Sequence, residues 1–184
     1  MSLRVAVGRI LSEVTSVLGE ADLESADQLA KTVVAARRIY VTGEGRSGLV
    51  ARTFAMRLVH LGMTACVCGE TTTPAIEAGD LCVAVSGSGE TMITLHRARK
   101  SRAVGATVAA VVAAPGSSLG AEADVEVVLP APTKLSQGAT ASEQFGASLF
   151  EQVLLLFFDA LILCLQGRTG TSAESMSAKH SNLE

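Results

Sequence analysis

Between Val83 and Thr94 the chain reads VAVSGSGETMIT: an apolar strand breaks into alternating Ser and Gly, then resumes as a helical pattern. Glycines let a backbone turn tightly and approach a ligand closely. The hydroxyls of Ser86, Ser88 and Thr91, with the N–H groups of a helix start, can converge on an anion. A phosphate monoester suits that cradle, although Ser86 and Thr91 are also residues that simply cap a helix. A second loop, GEGRSG at Gly43 to Gly48, follows another strand and adds Gly45, Arg46 and Ser47. Its three glycines match G-x-G-x-x-G, but the acidic residue expected about 20 residues later is represented only by Glu70, past the next strand, so a dinucleotide site is poorly supported. No GxxxxGK[ST] phosphate loop occurs. Further along, Glu151 interrupts an apolar run, between Leu149-Phe150 and Val153-Leu156. It reads either as a functional carboxylate or as an ordinary first-turn glutamate.

Histidine is the side chain best suited to moving protons near neutral pH, and there are three: His60, His96 and His180. His60 lies among Leu58, Val59 and Leu61 near a helix end. His96 borders a basic, solvated helix face. His180 lies in a polar tail. Arg46 is placed to compensate phosphate charge, with an ion pair to Glu44 or Glu70 as its other reading. GETTTP, Gly69 to Pro74, brings Glu70, Thr71 and Thr72 towards the same sheet edge, while Thr73 before Pro74 reads as a loop-fixing residue. No trio of His is spaced as metal ligands.

These groups need a scaffold to position them. The 184 residues suffice for one domain with a substantial core. The composition is 48% hydrophobic but only 3% aromatic, so that core is aliphatic. Apolar periodicity predicts helices over about 3–18 (Val7, Ile10, Leu11, Val14, Leu18) and about 22–36 (Leu23, Ala26, Leu29, Ala30, Val33), the second started by Asp22. Strands are predicted to begin near 38, 64, 81, 107 and 125, with helices over 47–61, from the SGSGET loop to about 101, and over 146–166. Gly62 ends the first of these three helices, and one further turn is possible near residue 118. Strands that are apolar along most of their length and alternate with helices make a parallel sheet covered on both faces. In such sheets ligands bind beyond the carboxyl ends of the strands, where both glycine loops fall. The chain thus divides into N-terminal helices (about 3–36), an α/β core (about 38–166) and a polar tail (167–184).

A net charge of -3 and the shortness of the densest basic run, RARKSR at 97–102, argue against a nucleic-acid surface. Cys66, Cys68, Cys82 and Cys164 lack CxxC spacing and read as buried free thiols in a reducing compartment. The N-terminus lacks a signal-peptide pattern. VLLLFFDALILCL, 153–165, is shorter than a membrane span needs and carries Asp159, so it reads as a helix buried in the core or in a subunit interface. Together these features predict a cytoplasmic protein.

The run VTGEGRSGLVARTFAMRLVHLG followed by GETTTPAIEAGDLCVAVSGSGET, with SLFEQ at Ser148 to Gln152 and the terminal HSNLE at His180 to Glu184, resembles the 6-phospho-3-hexuloisomerase family of sugar isomerase (SIS) domain proteins. The resemblance spans essentially the whole chain. SGSGET alone points only to the wider superfamily; the other motifs narrow it. One departure is visible. Family members commonly carry a Pro and a Met-Gly before SLFEQ, whereas this chain reads SEQFGASLFEQ, which implies altered loop packing more than lost activity.

The resemblance implies a three-layer α/β/α sandwich on a five-stranded parallel sheet, flavodoxin-like in architecture, in a homotetramer with active sites near subunit boundaries. It implies cofactor-free and metal-free interconversion of D-arabino-3-hexulose 6-phosphate and D-fructose 6-phosphate. That step follows aldol fixation of formaldehyde in the ribulose monophosphate pathway. Ser47, Ser86, Ser88 and Thr91 are then the phosphate set, Gly45, Arg46, Glu70, Thr71 and Thr72 are the sugar contacts, and Glu151 is the base for enediol proton transfer. His180, brought from a neighbouring subunit as in related isomerases, or His60, shuttles oxygen protons. Two other readings stand beside this one: a non-catalytic phosphosugar-sensing module, and an isomerase of another phosphosugar such as arabinose 5-phosphate or sedoheptulose 7-phosphate.

Overall fold

The computed structural model describes residues 1–133 and 142–183. Two helices lead, α1 (Leu3–Gly19) and α2 (Leu23–Ala35). Asp22 starts α2 by accepting from the N–H groups of Glu24 and Ser25, both at 3.1 Å. Then follow β1 (Ile39–Thr42), α3 (Gly45–His60), β2 (Ala65–Val67), β3 (Leu81–Val85), α4 (Met92–Ala103), β4 (Thr107–Val112), α5 (Ser118–Ala121), β5 (Val125–Val128), α6 (Ser148–Thr169) and α7 (Ala173–Ser177). The strands form one sheet in the order β2-β1-β3-β4-β5, every neighbour parallel. The expected three-layer sandwich and flavodoxin-like strand order are both present.

Strand periodicity divides the core into two unequal layers. Ile39, Val41, Leu81, Val83, Val85, Ala109 and Val111 face α2, α3 and α6 in a large aliphatic cluster, within which Phe54 of α3 stacks on Phe158 of α6 at 4.1 Å. Cys82, Ala84, Val108, Ala110 and Val112 face the smaller layer under α4 and α5. Consequently β1 leads into a helix on one face and its neighbour β3 into a helix on the other. The chain parts at the carboxyl ends of β1 and β3, which opens a crevice there.

Several expectations need correction. On α1 the predicted stripe is only partly used: Val14 is buried, whereas Val7 and Leu11 are exposed. Leu23 of α2 is exposed too. Cys82 is buried, but Cys66 and Cys68 are half-buried and Cys164 lies exposed on α6. The basic run on α4 is not simply solvated. Arg97 pairs with Glu44 (2.9 Å), Arg99 with Glu122 (2.9 Å), and Arg102 donates to the Glu122 carbonyl (2.8 Å). The apolar helix α6 runs for 22 residues, long enough by length and composition to cross a membrane, yet it packs on α3, α1 and α2 as a core helix. The short α7 within the polar tail was not foreseen. Glu184 of the terminal motif lies outside the described residues, as does 134–141 of the polar stretch before α6.

Candidate active site

Three helices begin at the crevice, and none supplies its own side-chain cap: the N-cap residues Glu44 of α3, Thr91 of α4 and Ala147 of α6 make no capping hydrogen bond. First-turn N–H groups left this way, with the positive ends of three helix dipoles, make the crevice an anion site. Its volume is about 350 Å³.

Glycine is required at its base for steric reasons. A Cβ on Gly48 would overlap the Gly43 backbone, and one on Gly89 would overlap Ser117, where φ is also +67°. Both contacts let a helix start press close against the strand-end loop. A Cβ on Gly87 would crowd the Phe150 ring at 3.1 Å, so the SGSG loop rests directly on the first turn of α6.

The serines of that loop are prearranged. The Ser86 hydroxyl, buried, accepts from Gly89 N–H (3.1 Å) and shares a hydrogen bond with the Thr91 hydroxyl (2.9 Å). Ser88 accepts from Glu90 N–H at 3.2 Å. Glu90, an awkward neighbour for a dianion, is turned away and caps α5 by accepting from Ser118 N–H at 2.8 Å. Hydrogen bonds from Ser118 hold its carboxyl below the usual carboxylate range.

Facing the loop is α6. Glu151 is nearly buried, its side chain 13% exposed, and its Oε2 lies 3.1 Å from Arg46 Nε. Arg46 also donates to the Ser148 hydroxyl at 3.0 Å. The partner of Arg46 is therefore neither Glu44 nor Glu70. Arg97 takes Glu44, and Arg52 takes Glu70. A carboxylate on an apolar helix, a half-exposed cation beside it and an anion cradle opposite can hold a phosphorylated polyol and take a proton from its carbon chain.

The fold thus gathers Gly45, Arg46, Ser47, Ser86, Ser88, Thr91 and Glu151 around one cleft. It does not bring Glu70, Thr71 or Thr72 there. β2 is the edge strand, so the loop after it projects outward. Glu70 and Thr72 border a separate groove with Arg52, Met56 and Val59, and Thr71 is exposed. Thr73 fixes that loop by donating to the Val67 carbonyl at 2.6 Å. Neither candidate histidine reaches the cleft within one chain. His60 closes α3, about 22 Å along the axis from Gly45 at ~1.5 Å per residue. There it is buried and stacks on His180, ring centroids 5.1 Å apart. Burial, then the neighbouring His180 and Arg57, push His60 below the ordinary histidine range. His96 is exposed. Among the described residues no group of three or more His, Cys, Asp or Glu is arranged to hold a metal ion.

Sequence reasoning missed Ser148, Phe145 and Thr133, which also line the cleft. Ser148 was visible within SLFEQ, but nothing in the motif shows that its hydroxyl accepts from Arg46.

A parallel sheet in this order, with an anion cleft at the β1/β3 switch and a carboxylate facing it, fits an SIS domain. The chain belongs to the SIS domain family, whose profile matches residues 33–156. Its relatives include a 3-hexulose-6-phosphate isomerase of Bacillus subtilis, 43% identical over 97% of both chains. A 3-hexulose-6-phosphate isomerase of Mycobacterium gastri is 42% identical over 95% of this chain and 88% of its own. Among solved structures, a protein from Methanococcus jannaschii, for which the same isomerase function was inferred, superposes with a TM-score of 0.83 at 29% identity, covering 97% of this chain and 99% of that one. The family to which the motifs pointed is therefore the family of this chain.

Proposed function

We propose that this chain is a sugar-phosphate isomerase that interconverts D-arabino-3-hexulose 6-phosphate and D-fructose 6-phosphate. The observation that carries the reading is the placement of Glu151, nearly buried and paired with Arg46, across one cleft from the Ser86–Thr91 anion cradle. The relatives' activity supports the choice of substrate.

In the fructose 6-phosphate direction the phosphate sits on the α3 and α4 starts, held by Ser47, Ser86, Ser88 and Thr91. Glu151 takes the proton from C3. The electron pair of that C–H bond forms the C2=C3 double bond, and the former carbonyl oxygen at C2 gains a proton to complete the enediol. Loss of the proton from the C3 hydroxyl then makes the new carbonyl, and the proton on Glu151 returns to C2. One carboxylate serves both carbon steps. Arg46 leaves Glu151 for the substrate and stabilises developing charge on the enediolate oxygens.

Oxygen-proton transfer is assigned to His180 or His60 of a second copy, because the pair lies about 22 Å from its own cleft. A homotetramer is the proposed assembly. Exposed Leu3 and Leu11 on α1, Met56 and Val59 on α3, and Leu155 and Leu163 on α6 supply apolar surface for it. The proposed setting is cytoplasmic formaldehyde fixation, with no cofactor, nucleic acid or membrane partner.

Carbon-13 NMR of purified protein with fructose 6-phosphate tests the reading. A C3 ketone should grow in to a stable equilibrium. Binding with no new ketone would favour a phosphosugar sensor, and a different product would reassign the substrate.

A further inference from the structure

The loop that carries the α6 side of the cleft does not stand by itself. Glu13, half-buried on α1, accepts three hydrogen bonds from it: Glu143 N–H to Oε1 at 3.1 Å, the Ser142 hydroxyl to Oε2 at 2.6 Å, and Gln144 Nε2 to Oε2 at 2.9 Å. Gln144 passes the constraint on. Its N–H donates to the Ser142 hydroxyl at 3.0 Å, and its side-chain oxygen accepts from Gln152 Nε2 at 2.8 Å, on α6 beside Glu151. Arg9 pairs with Glu143 and fastens the same segment a second time. One residue later begins the stretch Phe145–Ser148, which lines the cleft; there Ser148 donates to the Phe145 carbonyl at 2.8 Å and accepts from Arg46.

We propose that Glu13 is a positioning residue: from outside the cleft it fixes segment 142–144, and so keeps Ser148 and Glu151 in place on the cleft wall. The catalytic side of this inference rests on the isomerase reading given above. The chemistry of the junction demands a carboxylate. All three partners donate, and only an ionised carboxylate offers acceptor sites on both oxygens. A glutamine here would present one acceptor and point N–H groups at other donors. Burial works to raise the Glu13 carboxyl, but the Ser142, Gln144 and Glu143 hydrogen bonds, with Arg9 nearby, hold it below the usual carboxylate range. The hold of α1 on the body is separate, through the buried Val14 and Val17. Removing the carboxylate therefore loosens the loop without undocking the helix.

The test compares Glu13→Gln, Glu13→Asp, Ser142→Ala and the Glu13→Gln/Ser142→Ala double variant in the full chain. It reads amide hydrogen exchange, kcat and KM for fructose 6-phosphate, and inhibition by inorganic phosphate. With Glu13→Gln, exchange at Glu143 and Gln144 should quicken and kcat should fall, each by about tenfold, the scale of a lost charge-assisted hydrogen bond. Exchange in β3 and β4 should not change. Phosphate inhibition should move by less than about twofold, because the Ser86–Thr91 cradle keeps its own bonds. Glu13→Asp, with two acceptor oxygens, should recover part of kcat, and Ser142→Ala should add little on the Glu13→Gln background. An unchanged kcat would overturn the proposal. So would loss of kcat accompanied by faster exchange throughout the sheet, because that marks a general loss of stability. If the parent chain lacked isomerase activity, the functional reading would fall by itself. Exchange at 143–144 would still decide whether Glu13 holds the wall, and unchanged exchange would overturn that too.

Discussion

Ser86 concentrates the demands on the proposed phosphate loop. Its hydroxyl accepts from Gly89 N–H and bonds Thr91, so its removal leaves that N–H with the Ser86 carbonyl alone and frees the Thr91 hydroxyl. Ser86→Ala should weaken competitive inhibition by inorganic phosphate by roughly tenfold, the scale of about 1.5–3 kcal/mol for a lost hydrogen bond to a charged group. Initial-rate kinetics at several phosphate concentrations would measure it. Gly89→Ala should be worse, because the new Cβ has a φ of +67° and meets Ser117. Thermal melting should show a loss of at least about 1 kcal/mol, the lower bound for a strained left-handed residue. At this scale much was legible. SGSGET and GEGRSG announce close backbone approach because only glycine fits there. That Glu90 turns away from an anion was legible from its charge, but its partner was not, because Ser118 N–H lies 28 positions away and is a backbone group. The same holds for Arg46: the two carboxylates expected to pair with it, Glu44 and Glu70, are each taken by another arginine.

At the scale of elements, the entrances to β1 and β3 are tied by a buried charge. Asp80, wholly buried, accepts from Arg37 and Arg38, the latter at 2.7 Å through Nη2. Burial works to raise its carboxyl, but Arg38, the Glu77 N–H and Arg37 outweigh it and hold it below the ordinary value of 3.8. The unfolded chain therefore binds a proton at Asp80 before the native chain does. The resulting stability is present above pH ~4 and is lost as the pH falls below that value. Asp80→Asn should cost about 1–3 kcal/mol at neutral pH, since the buried amide points N–H groups at donors while Arg37 and Arg38 keep Glu77 as a partner. In urea titrations the gap between parent and variant should narrow as pH drops from 5 to 2. A gap independent of pH would contradict the assignment. The elements themselves were readable because their periods differ, strands at two residues and helices near 3.6. The boundaries of α6 were not: Gly167 reads as a stop but stays helical, and the chain turns at Gly170, where φ is +66°. α7 escaped notice because a short polar helix, with no buried residue, has no apolar stripe to display.

As a whole molecule, one chain is chemically incomplete under the proposed mechanism. Its carboxylate and phosphate cradle share a cleft, while His60 and His180 stack at the far end of α3. Apolar patterning hinted at this. The apolar stripe that marks α1 as a helix leaves Val7 and Leu11 in solvent, and such stripes serve interfaces as well as cores. A sequence shows that a stripe exists but not which surface covers it. If the site is shared, a chain carrying Glu151→Gln and a chain truncated after Lys179 should each be nearly inactive, yet regain activity in mixed oligomers. Mixtures that stay inactive would place the whole site in one chain.

The central claim is that Glu151 moves a proton between C2 and C3 of a phosphate-anchored ketohexose. The most direct measurement is deuterium incorporation from D₂O into fructose 6-phosphate, followed by proton NMR at C3. The parent protein should exchange the C3 hydrogen, with the C1 hydrogens untouched. Glu151→Gln should still bind inorganic phosphate but exchange at least about a hundredfold more slowly, the usual contribution of a positioned general base. Near-normal C3 exchange in Glu151→Gln would contradict the assignment of the base. No C3 exchange in the parent protein would contradict the account as a whole.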